Sequence, residues 1–255
     1  NSGSIRYFRT EWGGLRFTPT NEYNGIALQG VGSGTTIDHV QAYYTSDDGI
    51  EFFGGSVNIK YAISTASADD SFDWTDGWRG SAQFVVVQQE GDEADNGLEC
   101  DNQEAGFDYF PRSKPYVYNA TVIGDPVTGT GSTRGMRLRH GTAGIIRNNI
   151  VMGFKNVGIL IAPECYPQAT DGDLVVDNNL LFGNLDGCYD AGTVPYLGPD
   201  NLCGSDPLLG DPYDLLAPDF RPAAGSPAAN RGSASPAKTA PSARCRRLGG
   251  GNRWR

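Results

Sequence analysis

Acids recur at one position of a repeated motif. Asp48-Gly49-Ile50-Glu51, Asp70-Ser71-Phe72-Asp73 and Asn96-Gly97-Leu98-Glu99 each run polar corner, small residue, apolar residue, acid. The motifs start 22 and 26 residues apart. If each opens a short strand and the strands stack, Glu51, Asp73 and Glu99 fall in one outward column at a spacing of about 4.8 Å. Bare carboxylates so placed repel, and a shared proton, a neighbouring cation or a bound metal must offset them. Asp47, Asp48, Asp69 and Asp70 crowd the preceding corners, and Asp76 and Asp101 follow the strands. This all-oxygen set suits Ca²⁺, a hard cation taking about six to eight oxygen ligands. The expected metal ligands are Glu51, Asp73, Glu99, Asp48, Asp70 and Asp101. The plainer alternative is a solvated acidic face whose aspartates bind corner amides; for Asp47 and Asp69 that capping role is the expectation.

Arg137 continues the column in Arg134-Gly135-Met136-Arg137, with Arg134 and Arg139 beside it. A carboxylate ladder ending in arginines is similar to the layout of β-helix polysaccharide lyases, where Ca²⁺ neutralises a uronate carboxylate and a basic side chain takes the α-proton. That chemistry needs a cation for the developing enolate and a base in reach. An enzyme would therefore use Glu51, Asp73, Glu99 and Arg137 as its catalytic set, with Lys60 and His140 as other base candidates. The simpler role for Arg137 is an ion pair with Glu99. A glycosidase would use two of the same carboxyls, about 5–5.5 Å apart if retaining and about 6.5–9.5 Å if inverting. Adjacent coils fit the first separation and coils two apart fit the second. The sequence contains no G-x-S-x-G, P-loop or H-E-x-x-H motif.

The elements that must position these side chains follow from the repeat. The motif recurs at 24–30, 48–54, 70–76, 96–102, 134–140, 157–163 and 186–190. Between the copies lie β-branched segments at 35–44, 57–64, 82–89, 116–123, 144–153 and 173–183, with Gly, Asn and Asp at the corners. Coils of 22–30 residues without helical period read as an all-β solenoid of about seven or more coils. A β-sandwich would not repeat the motif itself. Alternation assigns Ile26, Ile50, Phe72, Leu98, Met136, Ile159 and Cys188 to one inward column, and Leu28, Phe52, Trp74, Cys100, Leu138 and Ile161 to another. Ala27, Leu160 and Tyr189 complete the outward column. Cys100 then reads as a small buried hydrophobe. Phe53, Trp78, Tyr109, Phe110 and Tyr189 are the aromatics expected at the surface, where rings suit sugars. The loop at 103–115 is placed to wall a groove.

Composition narrows the partners. Glycine is 35 of 255 residues, without a three-residue period. No apolar run approaches the ~18 residues of a membrane span, so no membrane insertion is expected. Residues 1–232 hold 30 acidic and 14 basic side chains; such a body repels nucleic acid and attracts cations. Residues 233–255 are basic, rich in Ala, Ser, Pro and Gly, and read as a disordered tail. The five cysteines match no zinc spacing. One disulfide among Cys165, Cys188 and Cys203 is expected if the protein is exported.

The segments TSDDGIEFFGGSVNIKYAI (45–63) and ADDSFDWTDGWRGSAQF (68–84) resemble a family of bacterial secreted, cell-surface proteins. Its members are right-handed parallel β-helices of pectate-lyase-like fold, common in Bacteroidetes-like genomes and known mostly as hypothetical proteins or lipoproteins. SDPLLGDPYDLLAPDFRPAAGSPAANRG (205–232) is similar to the closing strand of many such helices. The resemblance covers roughly 4–232 and implies one β-helix domain at 1–232, secretion or the outer cell surface, and further coils before residues 4–14. The expected function is a non-catalytic module that binds glycan or builds an envelope or extracellular assembly, with a structural Ca²⁺. The alternative is a Ca²⁺-dependent polysaccharide lyase or glycosidase acting on an acidic polysaccharide. A third expectation is a scaffold whose open first coil associates with another chain.

Overall fold

A computed structural model describes residues 3–15, 17–18, 23–229 and 232. Two long parallel sheets wind around one core, which makes the chain a parallel β-helix. One sheet consists of Ile26–Gln29, Ile50–Phe53, Phe72–Thr75, Asn96–Cys100, Arg134–Leu138, Val157–Ile161 and Gly187–Tyr189, side by side in chain order. These are the motif strands, so the acids lie on this sheet.

The other sheet holds the β-branched segments. Ser4–Glu11, Thr36–Tyr43 and Asn58–Thr65 are single strands; later coils divide into pairs such as Ser81–Gln83 with Val86–Gln88. The division follows a bend at one left-handed residue per coil: Tyr7, His39, Tyr61, Phe84, Asn119, Asn148 and Asn178, all with φ between 52° and 61°. The residues just before them pair from coil to coil, so the left-handed residues form one column. That conformation costs an L-residue about 1–2 kcal/mol, and asparagine tolerates it best. Where asparagine is missing, the rings stack: Tyr7 on His39 at 4.7 Å, His39 on Tyr61 at 4.6 Å and Tyr61 on Phe84 at 5.2 Å. Inside the later bends an amide ladder takes over. Asn149 Nδ2 donates to Asn179 Oδ1 at 2.9 Å, and Asn179 Nδ2 donates to Asn201 Oδ1 at 3.1 Å.

The core is built from the two predicted columns. Ile50, Phe72, Leu98, Met136 and Ile159, then Phe52, Trp74, Cys100, Leu138 and Ile161, are almost fully buried. Each large apolar side chain contributes about 1.5–3 kcal/mol by leaving water. Cys100 packs there as a hydrophobe. Trp78 corrects the expectation of a surface ring. It is fully buried, stacks on Phe52 at 4.0 Å and donates its Nε1–H to Val57 O at 3.1 Å, because the turn after Phe72–Thr75 folds inward. The small residue of the motif is a steric requirement. A Cβ on Gly97 would stand 2.5 Å from Val122 Cγ1, and one on Gly49 would stand 2.0 Å from Ser64 Oγ.

The last coil differs from the sequence expectation by one residue. Ile159 pairs with Tyr189 and Val157 with Gly187, so Tyr189, not Cys188, continues the inward column, and Tyr189 leaves the outward one. Cys188 instead continues the small-residue position of Gly97, Gly135 and Gly158, where a Cβ faces the second sheet at Val122, Val151 and Leu181. Cys203 continues the Leu181 position, so the two sulfurs meet as a disulfide. Cys165 is free and buried.

Beyond it, Leu209–Asp211 and Asp219–Pro222 close the fold as an antiparallel pair, pinned by Gln88 Nε2 donating to Pro212 O and Asp214 O, both at 3.0 Å. At the other end, Ser4–Glu11 pairs with Thr36–Tyr43 alone among the described residues, and Ile5 and Phe8 on the inward columns are 41% and 48% exposed. The expected tail at 233–255 lies outside the described residues. No described helix is long and apolar enough to cross a membrane.

Candidate cation-binding site

The register places the acids where the repeat predicts. Ala27 pairs with Glu51, Glu51 with Asp73, Asp73 with Glu99, Glu99 with Arg137 and Arg137 with Leu160. Three acidic coils are therefore bounded by an alanine on one side and an arginine on the other. Asp48, Asp70 and Asn96 form a second column at the strand entrances, and it too gives way to arginine, since Asn96 pairs with Arg134.

Backbone hydrogen bonds fix the corners. Asp48 Oδ1 accepts the N–H of Asp70 at 3.0 Å, and Asp70 Oδ1 accepts that of Asn96 at 2.6 Å. Asp48 and Asp70 thus bind backbone amides themselves, their side chains turning along the stack toward the next coil. Asn96 Nδ2 donates to Asp95 Oδ2 at 3.0 Å and Glu99 Oε1 at 3.1 Å. Asn24, from the preceding coil, donates to Glu51 Oε2.

The acids shield one another from water. Glu51, Asp73 and Glu99 are each 8% exposed although they point away from the core. Burial raises the carboxyls of Asp48, Asp70 and Asp73 well above the usual range, and neighbouring acids add to it. Burial lifts Glu51 to about 7 against the opposing hydrogen bond from Asn24. It lifts Glu99 to about 7 even though Arg139 and Arg137 pull the other way. Burial and mutual repulsion thus shift all five carboxyls toward holding protons more tightly.

Its oxygens converge. One oxygen each from Asp48, Glu51 and Asp73 lie within 4.8 Å of one another, as do those of Asp47, Asp48 and Asp69, and of Asp69, Asp70 and Asp95. A Ca²⁺ ion holds its oxygens at about 2.3–2.6 Å, so ligands of one ion stand up to about 5 Å apart. Asp73 Oδ1 is buried without a hydrogen-bond partner, which is costly unless something compensates it. The donor set and this orphaned oxygen both fit a hard divalent cation.

A family model described as a pectate-lyase-like β-helix domain matches residues 1–190. The chain belongs to that family. No curated protein and no solved structure matches it. All three acidic coils and the arginine coil of this pectate-lyase-like β-helix domain lie within the matched residues; the closing antiparallel pair lies beyond them.

In this β-helix domain the predicted site residues divide into two groups. Asp48, Glu51 and Asp73 come together as one close cluster, and Asp70 joins Asp69 and Asp95 in another. Glu99 and Asp101 instead face arginines. Glu99 lies 3.3 Å from Arg137 Nη1 and also pairs with Arg139; Asp101 Oδ1 lies 2.9 Å from Arg139 Nε and Asp101 Oδ2 2.9 Å from His140 Nδ1. Among the described residues, neither belongs to a close acidic cluster. Lys60 lies on the other sheet. Phe107 of the long loop stacks on His140 at 4.9 Å.

Asp95, Asn24 and the double role of Arg139 are additions to the sequence reading. Asp95 had a visible signal, since it precedes Asn96 as Asp47 precedes Asp48 and Asp69 precedes Asp70.

Proposed function

We propose that this domain is an extracellular or cell-surface module that binds Ca²⁺ on the three acidic coils and, through it, an acidic glycan, without catalysing a reaction. The observation that carries this reading is the buried, unpartnered Oδ1 of Asp73 beside Asp48 and Glu51. A divalent cation would satisfy that oxygen, offset the repulsion of the three carboxylates and offer its open coordination positions to a glycan carboxylate. The Cys188–Cys203 disulfide supports an oxidising location outside the cytosol. The lyase alternative asks a guanidinium to take a proton, and Arg137 and Arg139 are both held on Glu99.

The test is calorimetry of Ca²⁺ into EDTA-treated protein at pH 8, then of hexagalacturonate and an alginate hexamer into the loaded protein. Saturable Ca²⁺ binding that Asp73→Asn weakens at least about tenfold, with oligouronate binding only in Ca²⁺ and no unsaturated product absorbance, supports the reading. Absence of Ca²⁺ binding overturns it; growth of the absorbance transfers it to the lyase.

A second reading, self-association, is favoured by the exposed Ile5 and Phe8 beside an edge strand with one partner.

A further inference from the structure

A separate cavity of about 350 Å³ opens at the far corner of the acid-bearing sheet, where the chain leaves its strands. Its walls come from three coils that sequence separates widely. Arg79 follows Phe72–Thr75; Phe110, Arg112 and Lys114 follow Asn96–Cys100; Asp171 and Asp173 follow the short helix Tyr166–Thr170. None of these belongs to the three acidic clusters.

The aromatic wall is held in place while its ring is left in water. Phe110 is 82% exposed. The loop carrying it is tied down on both sides. Asn102 Nδ2 donates to Phe107 O at 2.9 Å and Tyr109 O at 3.1 Å, and Asn102 Oδ1 accepts the N–H of Ser113 at 2.8 Å. Arg112 donates to Phe107 O at 2.9 Å and lies 2.5 Å from Asp108. A mobile loop exposes rings by fraying; this one is fixed, so the ring is presented. The opposite wall is polar. Lys114 Nζ lies 2.6 Å from Asp173 Oδ1, and that pair is partly open to solvent.

A tied-down exposed ring, with Arg112 Cζ 5.8 Å from its centroid, lines one monosaccharide-sized cavity with carboxylate, ammonium and guanidinium groups, which is chemistry for a sugar: the free face of the ring takes the C–H face, and the charged groups bond hydroxyls. The charges decide its kind. Arg79, Arg112 and Lys114 stand against Asp171, Asp173 and the Asp108 that pairs with Arg112, so the cavity is close to neutral. We infer that this cavity is a cation-independent subsite for a neutral pyranose, distinct from the acidic bed and recognising a different glycan chemistry.

The probes are cellohexaose, laminarihexaose, mannohexaose and maltohexaose, titrated by saturation-transfer NMR and calorimetry in EDTA, with hexagalacturonate in Ca²⁺ as the comparison. The expected result is binding of at least one neutral hexasaccharide with Kd below about 1 mM. Phe110→Ala weakens it about tenfold or more, as loss of a central aromatic anchor does; Asp73→Asn leaves it unchanged. Phe110 is exposed, so the variant keeps its melting temperature, and Asp173→Asn provides a second probe of the polar wall. Failure of all four neutral sugars, survival of binding in Phe110→Ala, or loss of binding in EDTA overturns the inference. Binding of hexagalacturonate alone overturns it while sustaining the acidic-bed reading, so the two fail separately.

Discussion

Arg137 stands one coil beyond Glu99 in the same outward column, with its Nη1 3.3 Å from Glu99 Oε1. Arg139, two residues on, reaches both Glu99 and Asp101. The acidic bed thus ends in a two-arginine clamp on its last glutamate. Arg139 is the less exposed arginine and serves two acids, so Arg139→Gln should cost more than Arg137→Gln: about 2–3 kcal/mol against about 1 kcal/mol, between the values for buried and surface pairs. Urea midpoints measure the order; equal losses would show that the clamp is not shared as described.

Asp73→Asn should separate stability from cation response. The substitution removes one charge from a crowded bed, so the cation-free protein should melt at the same or a higher temperature. Its Ca²⁺ affinity should fall at least about tenfold, the scale of losing one ligand contribution near 1.4 kcal/mol. Asp101→Asn should do the reverse, because Asp101 faces Arg139 and His140 rather than the clusters. Thermal shifts with Ca²⁺ and with EDTA decide it; a Ca²⁺ response intact in Asp73→Asn contradicts the assignment.

The pH dependence has a definite sign. Glu51 and Glu99 titrate near 7 in the folded protein, above their ordinary 4.5. Between those values the folded state holds more protons than the unfolded one, so stability falls as pH rises. In EDTA their contribution is full below about pH 4.5 and is lost as pH passes about 7. Ca²⁺ should restore stability most at pH 8, where it displaces fewest protons. Melting temperatures from pH 5 to 8.5 are the readout, and a curve in EDTA that climbs throughout this range would rule out a proton-holding bed.

The disulfide closes a 15-residue separation at the last coil. Cys188→Ser should cost about 3 kcal/mol, and dithiothreitol should lower the melting point of the parent but not of the variant. Burial pushes the Cys165 thiol up to about 12, so alkylation of the folded protein should leave it unmodified by mass spectrometry. Rapid labelling would contradict that burial.

If the edge of Ser4–Glu11 pairs with a second copy, as the self-association reading proposes, the pairing should be concentration-dependent. Light scattering should show mass rising above 27.3 kDa with concentration, and Phe8→Lys, which puts a charge on the edge face, should reduce the rise. A strict monomer for the parent protein would remove the scaffold reading.

The parallel β-helix was legible because its signal is a motif repeated in phase: Gly49, Gly97 and Gly135 mark the same tight corner, and the outward charged residue two positions after each (Glu51, Glu99 and Arg137) follows by counting. The acidic column was legible for the same reason. Counting failed where the phase changed. At Cys188 the small-residue position accepts a cysteine, which a hydrophobic pattern cannot distinguish from a core position. Trp78 lies in a turn, where alternation carries no information about burial. The pairing of Glu99 and Asp101 with Arg139 depends on side-chain reach across 38–40 residues of sequence, which spacing alone does not encode. Residues 103–115 had no periodicity to read, although the loop emerged as a wall of its own cavity.

The replacement of acid by arginine at the coil after Glu99 has an evolutionary consequence. Solenoids lengthen and shorten by whole repeats, because each unit touches only its neighbours. Duplicating the Asp69–Asp73 coil in place would extend both carboxylate columns by one step and carry the arginine boundary outward intact, without disturbing either sheet. Descendants of such an ancestor should therefore differ in capacity by integers, and their binding stoichiometry would be a fossil of how many times one short stretch of gene was copied.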